Sequence, residues 1–447
     1  MTYLNEALEK WAPVLDDEDT VKQYGALTGE RRRVTAIVME NTVNEQAKAA
    51  NANAGFVNEA VPSSNSTNVS NYDPVIVGLL RRAMPKLIAY DFCGVQPMTM
   101  PTGLIFAARN RYTSKTGAEA LFDEADSAFS AGAAAVAGNN PVDGTTGVLP
   151  WKNPAAMTVQ SGVATASGED FGGATTLNQM TFTIDKFTVT AVERGLQAGY
   201  TVELAQDLKA VHGLDAETEL TNLLSNQIIS EMNREVVRTL YKVSTTGAQL
   251  TTVPGTFDLD VDANGRWSVE RFKGLMFQIE REANRVAQTT RMGRGNVILC
   301  TSDVASALAM SGKLDIGGLK DGESLTVDDS GATFVGTLNG KYKVFIDPYS
   351  GNQTEAGNLN QFCVVGYKGN DLGRAGMFYC PYVPLTMHRA IDPATFQPKI
   401  AFKTRYALAG NPLNGNNYAD NVAAQPAFQL GAQSNKFFRI FKIANIS

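Results

Sequence analysis

The chain has 447 residues, 44% hydrophobic and 19% charged, with a net charge of −6. That length allows roughly two to three domains, and the acidic balance argues against a dedicated DNA-binding domain without forbidding a locally basic face. No run approaches the ~18 apolar residues that would cross a bilayer, and the N-terminal MTYLNEALEKW is too acidic and polar for a secretory signal.

Residues 1–70 open with helical patterning over Leu4–Leu15 and pass through Arg31-Arg32-Arg33. They continue in a polar Asn/Ala/Ser stretch, Asn41–Asn71, with almost no core-forming residues. This composition predicts an arm or processing segment rather than a domain. Tyr72-Asp73-Pro74 then reads as a helix start, with Asp73 as N-cap and Pro74 at the first helical position. Val75, Leu79 and Ala83, with Ile76, Leu80 and Leu87 beside them, supply an apolar stripe, and Pro85 loosens the helix late in its course. Gln96-Pro97 and Met100-Pro101 demand extended chain, and Leu104–Ala108 resumes as a strand.

Arg109–Phe129 is rich in charge, and Phe129–Phe182 is rich in Gly, Ala, Thr and Asn. A loop this long inside a compact domain is uncommon and usually functional. Thr181–Val189 alternates at period two and predicts a strand. Asp215–Lys242 is the strongest helical segment. Its row Leu220, Leu224, Ile228, Met232, Val236 and Leu240 recurs every four residues, widened by Leu223, Ile229 and Val237. A second helix is predicted over Ser268–Thr290, with Phe272, Leu275, Met276, Ile279, Ala283 and Val286 inward. Asn296–Cys300 reads as a buried strand and Val304–Met310 as a short helix. Asn339-Gly340 marks a type I′ hairpin between Thr333–Leu338 and Lys341–Ile346. Phe362–Tyr367 and Met377–Tyr382 complete the strands before a return segment, Leu385–Ala409.

Chemistry is sparse. Cys93, Cys300, Cys363 and Cys380 have no close spacing and read as buried thiols rather than a metal or redox site. His212 and His388 are the two histidines available for zinc or base chemistry, so neither metal nor cofactor is expected. Gly293-Arg294-Gly295 precedes a strand, whereas a phosphate loop follows one, so it reads as a turn. Glu203 and Asp207 share a helix face without a convergent histidine, which describes a solvated face. His212 before Gly213 reads as a capping or packing residue, and Lys341 and Tyr342 as ordinary strand residues.

Several blocks carry a family resemblance. They are Asn71–Arg109 (NYDPVIVGLLRRAMPKLIAYDFCGVQPMTMPTGLIFAAR), Ala198–Leu220, NREVVRTL (Asn233–Leu240) and Arg266–Ala283. NGKYKVFIDPY (Asn339–Tyr349), VGYKG (Val365–Gly369) and FQPKIAFKTRYALAGNP (Phe396–Pro412) follow in order. Together they span most of the chain after residue 70, and the set resembles the major capsid proteins of T-even-type contractile-tailed bacteriophages.

The resemblance implies an α+β, HK97-like phage capsid fold. The expected divisions are an N-terminal arm (1–70), a helix and strand leading into the P-domain (71–103), an E-loop with flanking strands (104–190), and a P-domain with a spine helix (191–254). An axial A-domain (255–382) and a return to the P-domain and C-terminus (383–447) complete them. T-even relatives carry a larger folded insertion in the E-loop region, and here it is shortened or absent. The implied function is self-assembly into hexamers, and pentamers, of the icosahedral shell around the genome, with no enzymatic role. Alternatives are the vertex (pentamer) paralogue, an encapsulin-type compartment shell, or an enzyme of unidentified type. Implied partners are further copies of the chain, a scaffold, a prohead protease, portal, vertex and decoration proteins, and packaged DNA by non-specific proximity, without a membrane. The site would be the virion capsid, after synthesis in the host cytoplasm. The relatives' protease cuts after glutamate preceded by an apolar residue two positions earlier. Val57-Asn58-Glu59 followed by Ala60 fits that pattern, as does Val38-Met39-Glu40. Arg109, Arg111, Lys115, Glu119 and Glu124 are the candidate E-loop contacts between subunits, expected to act through charge at the loop tip.

Overall fold

A computed structural model describes residues 2–16, 27, 29–54, 87–117, 120, 129–131, 163, 165–169, 178–263, 265, 267–315, 333–350, 361–369, 374–392, 394–411 and 432–446. The chain separates into two units. One comprises Met1–Gly103, Val189–Tyr418 and Ala423–Ser447, the other Leu104–Thr188 and Ala419–Val422.

In chain order the larger unit opens with α1 (Thr2–Leu15), α2 (Gly29–Ala54), the single turn α3 (Ala89–Phe92) and β1 (Gly94–Val95). The strands β2 (Thr102–Tyr112) and β3 (Met180–Thr190) run into the smaller unit, which also holds α4 (Thr165–Gly168). The larger unit resumes with β4 (Val192–Gly199), α5 (Val202–His212), α6 (Ala216–Val243), β5 (Ser244–Thr246), β6 (Thr256–Asp258) and α7 (Ser268–Thr290). It continues with β7 (Val297–Cys300), α8 (Ser302–Met310), β8 (Leu314–Asp315), β9 (Thr333–Leu338) and β10 (Tyr342–Ile346). The last strands are β11 (Gln361–Gly366), β12 (Met377–Ile391), β13 (Pro398–Gly410) and β14 (Asn435–Ala444).

Two sheets build the larger unit. One has the order β1-β12-β13-β4. The other runs β5-β14-β11-β7-β10-β9-β8, with β6 also paired to β14. The second sheet is apolar on both faces, as a sheet covered on both sides must be. On β7, Val297 and Leu299 face a core shared with α6, while Ile298 and Cys300 face a core shared with α7 and α8. The same alternation places Phe345 and Val364 on the first side, and Val344, Ile346, Cys363 and Val365 on the second.

Helix α6 has 28 residues, about 42 Å at 1.5 Å per residue. Leu224, Ile228, Met232, Val236 and Leu240 are buried, as the four-residue row requires. Leu223 departs from expectation. It is 62% exposed, because the helix packs through a narrower stripe than the widened row implied. The hairpin of β9 and β10 forms as predicted, with Asn339 (φ 54°) and Gly340 (φ 66°) both in the left-handed region that a type I′ turn demands. β12 is longer than the sequence suggests. Pro381 and Pro384 would break a regular ladder, but they sit where the register with β13 shifts, between Pro381 and Val383 and between Val383 and Thr386.

The N-terminal region differs most from its reading. Trp11, Leu15, Val34 and Met39 are buried in the α6-side core, and Arg31–Arg33 lie inside α2. Asn41, placed at the start of the polar stretch, is 2% exposed. Its Nδ2 donates to the carbonyls of Met98 (2.6 Å) and Tyr382 (3.0 Å). A polar residue here fills a core position because two backbone oxygens need a donor. The predicted helix beginning at Tyr72 lies outside the described residues.

Candidate assembly surfaces

The smaller unit is built on a two-stranded sheet of β2 and β3. The Thr113 amide donates to Gln179 O at one end, and that of Ala191 to Pro101 O at the other, so the strands run antiparallel. Side chains alternate between faces along a strand. Leu104 and Phe106 of β2, and Met180, Phe182 and Ile184 of β3, fall on one face and are each more than half exposed. A two-stranded ribbon is marginal in water by itself, and an apolar face of this kind marks an interaction surface.

The opposite face carries Arg109 and Arg111, both buried. Arg111 Nη1 donates to Gly117 O (2.9 Å) and its Nε to Thr183 Oγ1 (3.3 Å), so this guanidinium ties the turn after β2 to β3 within the chain. Lys115 is exposed. Glu119, Glu124, Glu59 and Ala60 lie outside the described residues. The apolar row was legible in the sequence as Leu104-x-Phe106 and Met180-x-Phe182-x-Ile184. Emphasis on the charges between these strands passed over it.

A second open surface lies on the larger unit. Helix α5 is capped by Thr201, whose side chain accepts from the Leu204 amide (3.2 Å), and ends at Gly213 in the left-handed conformation. It buries none of its residues, and Val202, Leu204, Val211 and the following Leu214 are exposed. Glu203 and Asp207 lie on this helix, exposed to solvent, and His212 occupies its last turn.

A third feature is a polar cleft of about 240 Å³ lined by Glu30, Tyr90, Asp91, Lys341, Lys343 and Lys368, among others. Lys343 Nζ lies 3.5 Å from Asp91, and Lys368 Nζ lies 3.8 Å from Glu30 while donating to Tyr90 O.

Among the described residues, reactive groups do not converge. Burial pushes the thiols of Cys93, Cys300 and Cys380 up to about 12, far from thiolate chemistry at neutral pH. Among the described residues no group of three His, Cys, Asp or Glu could hold a metal. Gly293-Arg294-Gly295 is the turn between α7 and β7, and Arg294 pairs with Glu280. Among the described residues no helix is long and apolar enough to cross a membrane.

Comparison with known proteins decides what these surfaces belong to. Residues 69–443 match the family described as Major capsid protein Gp23. This chain belongs to the major capsid protein Gp23 family. It is 37% identical to the major capsid protein of Salmonella phage ViI, over 97% of this chain and 96% of that one. It is 33% identical to the major capsid protein of Enterobacteria phage T4, covering 95% and 94% of the two chains. That match runs over 511 positions, more than the 447 residues here, so the T4 capsid protein carries residues that this one lacks. The T4 capsid vertex protein matches at 25% identity over 80% of this chain, so the major capsid protein is the better match. Among solved structures, the capsid of Myoviridae phage XM1 aligns with a TM-score of 0.39 at 7% identity, covering 78% of this chain and 89% of that one. The chain is therefore a structural component of the head shell of T4-like phages, a homo-oligomer in the virion.

Proposed function

We propose that this capsid protein forms hexameric capsomers of an icosahedral, HK97-like shell, in which the β2–β3 ribbon is the E-loop that reaches over a neighbouring copy. The exposed apolar face of the ribbon supports this reading. Phe106, Phe182 and Ile184 have no cover within the described residues of their own unit, and a neighbour would remove them from water. Burial of that face is then the main attraction, with charge setting orientation. Exposed ion pairs contribute only about 0.2–1 kcal/mol each. Of the candidate charges, Lys115 is exposed, while Arg111 bonds within its own ribbon.

Within this reading α6 is the spine of the P-domain, and the block from about 255 to 382 is the axial A-domain. A scaffold, a prohead protease, portal, vertex and decoration proteins, and packaged DNA are the proposed partners, met in the host cytoplasm. Cleavage after Glu59 stays a proposal.

Replacing Phe106 and Phe182 together by Ser tests the ribbon. Sedimentation and electron microscopy should show loss of capsomers and shells, while chemical unfolding of the larger unit keeps its midpoint. Shells at the wild-type rate would overturn the reading.

A further inference from the structure

Cys300 and Cys363 stand directly opposite each other where β7 and β11 pair antiparallel. Ile346 of β10 partners Cys300, and Phe441 of β14 partners Cys363, so a row across four strands reads Ile346, Cys300, Cys363, Phe441. All four side chains lie in one apolar core, on the α7 and α8 side of the sheet. Both thiols are fully buried and free. Directly opposite residues of an antiparallel pair have Cα atoms about 4.5–5.5 Å apart, and a disulfide spans Cα separations of about 4.4–6.8 Å. The backbone thus holds the two cysteines within bridging range. Cys300 Sγ donates to Phe345 O at 3.6 Å, and rotation about its side-chain bond turns it toward β11. The other two cysteines have no such register. Gly94 pairs with Phe378. Cys93 lies before Gly94 and Cys380 beyond Phe378, which separates them by about 10 Å along the strands, too far to bridge. Cys300 and Cys363 are distant in sequence, so spacing alone gives no sign of the pair.

We propose that Cys300 and Cys363 are a modification site, a thiol pair that a small-molecule disulfide converts into a cross-strand disulfide tying β7 to β11. One protein thiolate attacks the reagent disulfide, forms a mixed disulfide and releases one small thiolate. The second protein thiolate attacks the protein sulfur of that mixed disulfide, the protein S–S bond forms, and the second small thiolate leaves. The cysteines are oxidised, the reagent is reduced to two thiols, and these take up the two protons the cysteines gave up. While the sheet is closed the pair is inert, because burial raises both thiols above their ordinary range. Reaction proceeds through local opening. Cys300 is the last residue of β7, so release of that strand end frees it without loss of the sheet. The bond closes the chain between residues 300 and 363 and restricts the unfolded ensemble. A shell protein made in a reducing cytoplasm meets an oxidising medium when the virion is released. That timing rests on the cytoplasmic assembly proposed above, whereas the pairing rests on strand register, so the two fail separately.

The test incubates the full chain, folded and unassembled, with excess oxidised glutathione at about pH 8, near the ordinary thiol range. Intact mass and non-reducing peptide maps are the readouts. The expected product has lost two hydrogens per chain and yields one linked peptide pair, containing Cys300 and Cys363. Its urea midpoint should shift upward relative to the reduced chain, and a reductant should reverse the shift. The Cys93→Ala/Cys380→Ala double variant should form the same product, and Cys363→Ala should lose it. The map of the wild-type chain decides the matter even where a variant fails to fold. Four free thiols after prolonged incubation overturn the proposal. So does a link between Cys93 and Cys380, or a glutathione adduct that persists on Cys300 or Cys363. An oxidised chain whose midpoint does not rise overturns it as well.

Discussion

Arg234 on α6 grips Asp347 at the end of β10 with one nitrogen, Nη1 lying 2.9 and 2.7 Å from the two carboxylate oxygens. Tyr241, two turns further along α6, donates its hydroxyl to the same carboxylate at 2.5 Å, and the Tyr349 amide donates at 3.0 Å. The Asp347 side chain is 2% exposed and that of Arg234 28%. Asp347 thus joins the long helix to the end of the second sheet, and burial together with this carboxylate raises the Tyr241 hydroxyl above its ordinary value. Removing a partner from a fully buried pair costs about 3–5 kcal/mol, because a charge is left without compensation. Since Arg234 keeps some water contact, Arg234→Ala should cost about 2–4 kcal/mol in urea unfolding of the unassembled chain. Asp347→Ala, which also leaves the Tyr241 hydroxyl and the Tyr349 amide without their acceptor, should cost at least as much.

Two leucines of α6 separate burial from hydrophobicity. Leu240 is fully buried, and Leu240→Ala should cost about 2–5 kcal/mol. Leu223 faces solvent in the single chain, so Leu223→Ala should stay within about 0.5 kcal/mol of wild type. Matched denaturation curves check both.

The N-terminal helices predict a cost for their removal. Trp11 lies in the core, and its Nε1 donates to Glu40 (3.0 Å), which Lys10 also pairs at 2.8 Å. Trp11→Ala should destabilise the unassembled chain by about 3–5 kcal/mol. The pattern Val38-Met39-Glu40 is a poor protease site in this state, since Glu40 sits mid-helix with its carboxylate engaged. Intact-mass measurement of mature particles decides between retention and trimming. A mass equal to all 447 residues shows that the segment stays.

Asp262 predicts an acid-sensitive loop. Burial alone would raise its carboxyl, but the amides of Asp258 and Thr252 and the Thr252 hydroxyl donate to it and hold it below the ordinary range. A depressed folded-state value contributes stability that is fully present above the unfolded value of about 3.9 and is lost as pH falls through the folded value. Between about pH 5 and pH 3, wild type should therefore lose more thermal stability than Asp262→Asn, which has no proton to gain. Equal slopes for the two would remove Asp262 from the acid response.

Arg111 predicts a local effect. Arg111→Met removes the bond to Gly117 O and should cost about 1.5–3 kcal/mol of local stability, the range for a charged donor. Faster amide exchange at Thr113 and Gly117, with the larger unit unaffected, would be the signature.

The sequence by itself determined the regular elements whose residues carry their own signal. The four-residue row along α6, the inward set of α7 and the Asn339-Gly340 turn each depend on neighbours a few positions away, and each formed where it was read. Family membership was also legible, because it rests on ordered blocks rather than on geometry. Tertiary structure alone decided what depends on distant partners. Asn41 is buried because Met98 and Tyr382, 57 and 341 residues away, present carbonyls to it. Leu223 and Phe182 have the residue type of a core and lie on the surface, since none of the described residues of their own unit covers them. The lysine cleft is invisible in sequence for the same reason: Asp91, Lys343 and Lys368 acquire a shared chemistry only when three separate blocks are folded against one another.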